Sequence, residues 1–234
     1  MDILYIIIPA YNEEANIESA VREWHNVAVA TNEQSRLVII DDGSKDNTYR
    51  MLQELQKSHA QLETFTKPNG GHGATVYYGY QYALKKGANY IFQTDSDGQT
   101  LPSEFWQFWD NRDKYDIQIG NRKGRQDGLL RILVTKTLQL VLFFQFGLWI
   151  TDPNTPFRLM SGLSLSEMIQ RIPENHNLTN ILLTVLYHKS KKSIMYYPIT
   201  FRPRQGGVNS INFKKIVEIG WKAVKDFSLF NKKS

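Results

Sequence analysis

The chain has 234 residues, 41% of them hydrophobic, a net charge of +5 and no cysteine. That length suits one sizeable α/β domain with little left over, and the missing cysteines exclude a disulfide framework and any thiolate metal site. No basic leader precedes the first strand, so no signal peptide is expected, and the longest apolar run, Thr137 to Ile150, is broken by Gln139, Gln145 and Gly147 and is too short to span a bilayer.

In chain order, Leu4 to Pro9 is a continuous apolar run, the pattern of a strand buried on both faces of a parallel sheet. A helix follows over Glu13 to Ala30. A second strand, Leu37 to Ile40, runs into Asp41-Asp42-Gly43-Ser44, and Lys45 to His59 reads as a helix with Ser44 or Asp46 near its start. A strand over Leu62 to Thr66 leads to the turn Asn69-Gly70-Gly71-His72-Gly73 and a helix over Ala74 to Lys86. Tyr90 to Thr94 is the fourth strand, ending at Asp95-Ser96-Asp97. This strand–helix alternation predicts a doubly wound sheet whose ligands gather at the carboxyl ends of its strands.

The second half is less regular. Glu104 to Asp113 is expected as a short aromatic helix, Tyr115 to Gly120 as a strand, and Leu129 to Trp149 as a long apolar helix. A last strand, Ile194 to Phe201, is followed by Arg202-Pro203-Arg204-Gln205-Gly206-Gly207. The segment Asn212 to Leu229 is amphipathic, with Phe213, Ile216, Val217, Gly220, Trp221 and Val224 on one face and lysines on the other. It could dock on the domain or lie in a membrane interface. Charge is uneven: Ile181 to Ser234 carries eleven Lys and Arg against Glu218 and Asp226, a local +9, while the remainder is −4. A basic end suggests a polyanionic partner such as a lipid surface or phosphates. Nucleic acid is disfavoured, because the basic residues flank apolar faces rather than a stacking platform.

Chemistry concentrates at the strand ends. Asp95 and Asp97 offer hard oxygen ligands suited to Mg²⁺ or Mn²⁺ carrying nucleotide phosphates, although Asp-Ser-Asp-Gly is also ordinary turn chemistry. Asp41 and Asp42 could accept hydrogen bonds from a base or ribose. The glycines from 70 to 73 would let backbone approach a ligand and open a helix whose N–H groups favour anions. It is not a Walker loop, since no Gly-Lys-Ser/Thr follows.

Five motifs in order, Ile8-Pro9-Ala10-Tyr11-Asn12-Glu13, Ile40-Asp41-Asp42-Gly43-Ser44, Gly70-Gly71-His72-Gly73-Ala74, Asp95-Ser96-Asp97-Gly98-Gln99 and Phe157-Arg158-Leu159, span most of the chain. Together they resemble family 2 glycosyltransferases of the GT-A fold, most like the branch around dolichyl-phosphate mannose synthase. The resemblance implies a GT-A domain over 1–210, with a nucleotide-sugar half over 1–100 and an acceptor half over 101–210, followed by a basic amphipathic helix and tail over 211–234. It implies that Pro9, Ala10, Tyr11, Glu13, Asp41, Asp42, Gly70, Gly73, Asp95, Ser96 and Arg204 bind a UDP- or GDP-type sugar. Asp95, Asp97 and Gln99 would hold the Mg²⁺ or Mn²⁺, with His72 a candidate to touch the donor.

The expected reaction is an inverting transfer that releases a nucleoside diphosphate. Arg122, Arg131, Asp152 and Arg158 are the expected catalytic set. If the acceptor is a polyprenyl phosphate, Arg122, Arg131 and Thr135 would hold its phosphate, and the apolar helix after Arg131 would border the membrane. Asp152 would then orient Arg158 or the sugar. If the acceptor is a saccharide hydroxyl, as in surface-polysaccharide assembly, Asp152 would be the general base, because a hydroxyl must lose its proton on attack.

Two departures stand out: Asn209-Ser210 replaces the branch's usual Ser-Lys, and the transmembrane helices of many relatives are not in this sequence. Membrane association would then be peripheral, at the cytoplasmic face, or through a partner subunit. A nucleotidyltransferase is the rival reaction class, disfavoured because no Gly-rich basic loop follows the first strand. A non-catalytic nucleotide-sugar binder is a second rival, which the complete carboxylate set argues against.

Overall fold

The structure, a computed structural model, describes residues 2–123, 129–174, 176–203 and 227, with backbone alone for 123 and 129–135. Arg204 and, apart from Phe227, the expected helix Asn212 to Leu229 lie outside the described residues.

Seven strands form one sheet: β1 (Leu4–Ala10), β2 (Arg36–Asp41), β3 (Leu62–Thr66), β4 (Tyr90–Gln93), β5 (Ile117–Lys123), β6 (Arg158–Ser161) and β7 (Ile194–Thr200), in the order β3-β2-β1-β4-β6-β5-β7. Every pairing is parallel except those of β6, which runs antiparallel to both β4 and β5. The α/β, mostly parallel arrangement is the one the sequence predicts. Among the described residues the helices that accompany it are α1 (Ile17–Thr31), α2 (Thr48–Ser58), α3 (His72–Lys85), α4 (Phe105–Trp109), α5 (Leu129–Phe146), α6 (Gly162–Ile169) and α7 (Thr179–Lys189).

β1 is buried along all seven residues, and its alternating side chains enter opposite layers. Leu4, Ile6 and Ile8 pack with Leu37, Ile39, Trp24 and Phe92 under α1. Tyr5 and Ile7 pack with Val38, Ile40, Val76 and Tyr80 under α3, in the layer that also holds α6 and α7. In the first layer Phe92 is ringed by Phe157, Phe105 and Trp24 at centroid distances of 4.7, 5.0 and 5.4 Å. In the second, Gly79 lets α3 close on the sheet, since a Cβ there would lie 2.3 Å from Ile7 Cγ2.

Three expectations need correction. The strand β6 was not foreseen: it is four residues long and opens on Arg158. The aromatic helix expected over Glu104 to Asp113 is only Phe105–Trp109, preceded by a 3₁₀ turn. The long helix stops at Phe146 rather than Trp149, because Gly147 takes φ +69° and its N–H caps Phe143 O at 2.8 Å.

The strand order places the site. The chain leaves β1 toward β2 and β3 on one side and returns at β4 on the other, so the crevice lies at the carboxyl ends of β1, β2 and β4. The two antiparallel pairings of β6 bring β5 back parallel to β4. The carboxyl ends of β5 and β7 and the start of β6 therefore share that same edge.

Candidate active site

The loops along this edge are stitched to one another. Ala10 O accepts from Asp42 N at 2.8 Å, and Pro9 O accepts from Ser96 Oγ at 3.2 Å. Asn12, in the left-handed region at φ 55°, donates its backbone N–H to Ser44 Oγ at 2.8 Å and accepts from Lys45 N with Oδ1. Glu13 is buried, its N–H bonded to Thr48 Oγ1 and its carboxylate to Asn16 Nδ2. Tyr11 is 42% exposed.

Asp42 sits differently from the expectation that it contacts a base or ribose. Its Oδ1 accepts from Gly70 N at 2.9 Å and from Lys67 Nζ, and its Oδ2 from Gly71 N at 2.8 Å. Burial pushes its carboxyl pKa up, but the bonds from Lys67, Gly70 and Thr75 outweigh that and hold it below the ordinary value. Asp42 thus shapes the Gly-rich turn. Asp41 is also buried, bonded to Ser44 N and Thr66 Oγ1.

Gly73 is a further correction: the room its missing side chain leaves is filled by the protein itself. A Cβ there would lie 2.3 Å from both C and O of Asn177. Gly70 is exposed at the rim.

Asp95 and Asp97 follow β4, both half-buried. Asp95 Oδ1 meets His72 Nε2 at 3.0 Å and Gln93 Nε2 at 3.2 Å, and no hydrogen bond among the described residues engages Oδ2. Desolvation pushes the His72 imidazole pKa down and the Asp95 carboxylate pulls it up further, for a net rise. Asp97 Oδ1 accepts from Gln99 N at 3.1 Å. Gln99 turns its amide nitrogen to Arg202 O at 3.0 Å. No group of three His, Cys, Asp or Glu side chains converges on a metal position among the described residues. A pair of carboxylates with an open oxygen nevertheless fits Mg²⁺ or Mn²⁺, which take one or two protein carboxylates and fill the rest with phosphate and water oxygens.

Further along the edge, Arg122 near the end of β5 grips Asp152 in a fork, Nε to Oδ2 at 2.7 Å and Nη2 to Oδ1 at 2.6 Å. Both side chains are about nine-tenths buried, at 10% and 8% exposure, and Phe201 lies under the guanidinium, 4.9 Å from its ring centre. Asp152 thus pairs with Arg122, where the sequence suggested that for a phosphate acceptor it would orient Arg158 or the sugar.

Arg158 does not reach the crevice. It is fully buried and donates to the carbonyls of Pro153, Thr155 and Asn180 and to Thr184 Oγ1. That makes it the brace of the loop carrying Asp152, in place of a catalytic role. The backbone of Arg131 and Thr135 lies in α5, and their side chains are outside the described residues.

Arg202, in the loop after the last strand, is turned toward the protein itself. Its Nη2 donates to Gly98 O and Thr100 O, and its N–H to Gln99 O, so it clasps the loop after the carboxylate pair.

The Asp95 and Asp97 carboxylates and the Arg122–Asp152 fork thus lie along one edge of the sheet. Among curated relatives, the chain is 26% identical over 217 residues to a UDP-N-acetylglucosamine–dolichyl-phosphate N-acetylglucosaminyltransferase of Methanococcus voltae, covering 84% of each chain. It is 26% identical over 232 residues to a polyprenol monophosphomannose synthase of Mycolicibacterium smegmatis, covering 94% of this chain and 85% of that one. Its fold matches a glucosyl-3-phosphoglycerate synthase of Mycobacterium tuberculosis solved with Mn²⁺, UDP-glucose and phosphoglyceric acid. That match has TM-score 0.68 and 15% identity, covering 98% of this chain and 79% of that one. Residues 5–164 match the family described as glycosyl transferase family 2. The chain belongs to that family and is a glycosyltransferase of GT-A-like fold.

Proposed function

We propose that the enzyme moves a sugar from a UDP-type nucleotide sugar to an acceptor hydroxyl, with inversion, using a divalent cation on Asp95 and Asp97. The cation, when bound, supplies positive charge to the departing diphosphate. The chain's own residues do the rest. The Gly-rich turn, held by Asp42, offers backbone near the phosphates. Asp152 accepts the hydroxyl proton as the acceptor oxygen bonds to the anomeric carbon and the bond to the diphosphate oxygen breaks.

The observation that carries this reading is the Arg122–Asp152 fork. Arg122 already faces a buried carboxylate that neutralises it, which weakens it as an anchor for an acceptor phosphate. The UDP-glucose and phosphoglyceric acid in the M. tuberculosis synthase support a uridine donor, a manganese-type cation and a non-lipid acceptor.

A second reading, transfer to a polyprenyl phosphate at the inner membrane face, draws on the acceptors in both relatives' names. It also draws on an exposed apolar cluster at the end of α5. Leu140, Phe143, Phe144 and Trp149 are 47%, 47%, 81% and 63% exposed, a surface suited to a lipid interface. No helix among the described residues is long and apolar enough to cross a membrane.

One assay separates the two. Enzyme, Mn²⁺ and labelled UDP-sugars are incubated with phosphoglycerate, oligosaccharides and a polyprenyl phosphate, and the organic and aqueous products are counted. Label in the aqueous product, lost by about 10²-fold or more in kcat with Asp152→Asn, supports the hydroxyl reading. Label confined to the lipid rejects it.

A further inference from the structure

We infer that Gln93, Asn180 and Tyr80 form a one-way hydrogen-bond chain that fixes the orientation of the Asp95 carboxylate, which makes all three positioning residues for the cation site. The inference rests on the reading of Asp95 as a cation ligand. Gln93 closes β4, a strand otherwise made of Tyr90, Ile91 and Phe92, and is fully buried. A buried amide is costly unless its bonds are made. Here both ends are used: Nε2 donates to Asp95 Oδ1 at 3.2 Å, and Oε1 accepts from Asn180 Nδ2 at 2.9 Å. Asn180, in α7 and 2% exposed, accepts with Oδ1 from the Tyr80 hydroxyl of α3 at 3.0 Å.

The sense of the chain follows from its carboxylate end. An ionised carboxylate only accepts, so Gln93 must present its NH₂ to Asp95 and its carbonyl oxygen to Asn180. Asn180 must then present its own NH₂ to Gln93 and its oxygen to Tyr80, which must donate. Burial raises the Tyr80 hydroxyl pKa, which keeps that proton in place. Reversing any link would set two oxygens face to face at Asp95.

The base of the chain is rigid. The Asn180 backbone carbonyl accepts from Arg158 Nη1 at 3.0 Å and from Thr184 Oγ1 at 2.8 Å. With His72 as the second donor on the same Oδ1, the carboxylate is held from two sides through one oxygen, and Oδ2 is left for coordination. Groups of this kind around a ligand commonly change metal affinity by about 10–100-fold when removed.

The test compares Gln93→Met, Asn180→Leu and Tyr80→Phe with wild type. UDP binding is measured by calorimetry across a Mn²⁺ titration and in EDTA, with thermal unfolding alongside. Wild type is expected to bind UDP more tightly as Mn²⁺ is added. Gln93→Met and Asn180→Leu are expected to need about tenfold more Mn²⁺ for half of that effect, and Tyr80→Phe about threefold, with binding in EDTA unchanged.

Tyr187→Phe is the control. It removes another buried hydroxyl, bonded to Ser164 Oγ at 3.1 Å, and is expected to lower Tm without moving the Mn²⁺ dependence. A wild type indifferent to Mn²⁺ overturns the cation reading, and this inference with it. A Mn²⁺-dependent wild type whose Gln93→Met variant titrates identically overturns the inference alone. If the two larger substitutions fail to fold, Tyr80→Phe, which loses one oxygen, decides on the same criterion.

Discussion

Replacing Asp42 with Ala separates a residue that shapes the turn from one that contacts the nucleotide. The Asp42 side chain is 5% exposed and its Lys67 partner 18%. The substitution strips the acceptor from Gly70 N, Gly71 N and Lys67 Nζ together, and leaves Lys67 only the Pro68 carbonyl at 3.2 Å. Removing one partner of a buried ion pair costs about 3–5 kcal/mol. Lys67 keeps some contact with water, so the lower end applies, about 3 kcal/mol. For a chain of this size that lowers Tm by about 6–12 °C.

Lys67→Met should cost less, about 1–2 kcal/mol, because the two backbone donors still satisfy the carboxylate. The double variant should fall short of the sum by about 1–2 kcal/mol, the coupling expected of directly bonded partners. Thermal unfolding of the four proteins, with UDP titration of each, reads both quantities. If Asp42→Ala keeps the wild-type Tm within a degree and yet loses UDP binding, the carboxylate serves the ligand and the reasoning from its three donors is wrong.

The same carboxylate predicts a pH effect. Its folded pKa lies below the ordinary value of 3.8, so the stability it contributes is fully present above about pH 4 and drains away as pH falls through that value toward the folded pKa. Asp46 is depressed in the same direction, where burial is outweighed by bonds from Thr48 and Glu14 N. Asp42→Asn should therefore flatten the loss of Tm between pH 5 and pH 3, and an unchanged slope would refute the assignment. Gly73→Ala should lower Tm by about 2–12 °C, from about 1–3 kcal/mol of overpacking against the Asn177 backbone; an increase, as helix propensity alone would give, contradicts the packing. Asp97→Ala should keep the fold, with Tm within about 2 °C, and lose at least about 10²-fold in turnover, corresponding to a few kcal/mol of charge stabilisation at the leaving group. Near-wild-type turnover would remove Asp97 from the cation site.

The first four strands and the carboxylate-bearing turns were legible because buried parallel strands leave apolar runs, such as Leu4 to Ile8, that end abruptly in Gly, Asp and Asn. β6 left no such run, since Arg158 opens it and its burial depends on carbonyls from Pro153, Thr155 and Asn180. α7 was unreadable for a different reason: residues 179–187 are buried on every side, so no polar face marks its period. At the site, residue types were legible but directions were not. Asp42 and Gly73 stand in the expected motifs, yet whether a carboxylate or a gap serves a ligand or the chain itself is set by partners far along the sequence, Lys67 for one and Asn177 for the other.

The end of β7 carries this furthest, because two residues there join the halves of the site. Phe201 supports the Arg122 guanidinium from below, and Arg122 in turn fixes both oxygens of Asp152. The next residue, Arg202, donates to the carbonyls of Gly98 and Thr100, and its backbone N–H donates to Gln99 O while its carbonyl accepts from Gln99 Nε2, on the loop that begins at Asp95 and Asp97. Adjacent residues cannot shift independently by more than a backbone torsion allows. The Phe201–Arg202 peptide therefore ties the carboxylate pair to the Arg122–Asp152 fork, alongside the β4-β6-β5 pairings that carry both. An in-line displacement needs its nucleophile and leaving group held at a fixed span, and effective concentrations of about 10⁵ M or more are reached only when that span is rigid. Phe201→Ala is accordingly expected to lower kcat more than it weakens UDP binding, since it frees Arg122 while leaving the Arg202 clasp and the carboxylate pair in place. A loss confined to UDP affinity would place the coupling elsewhere.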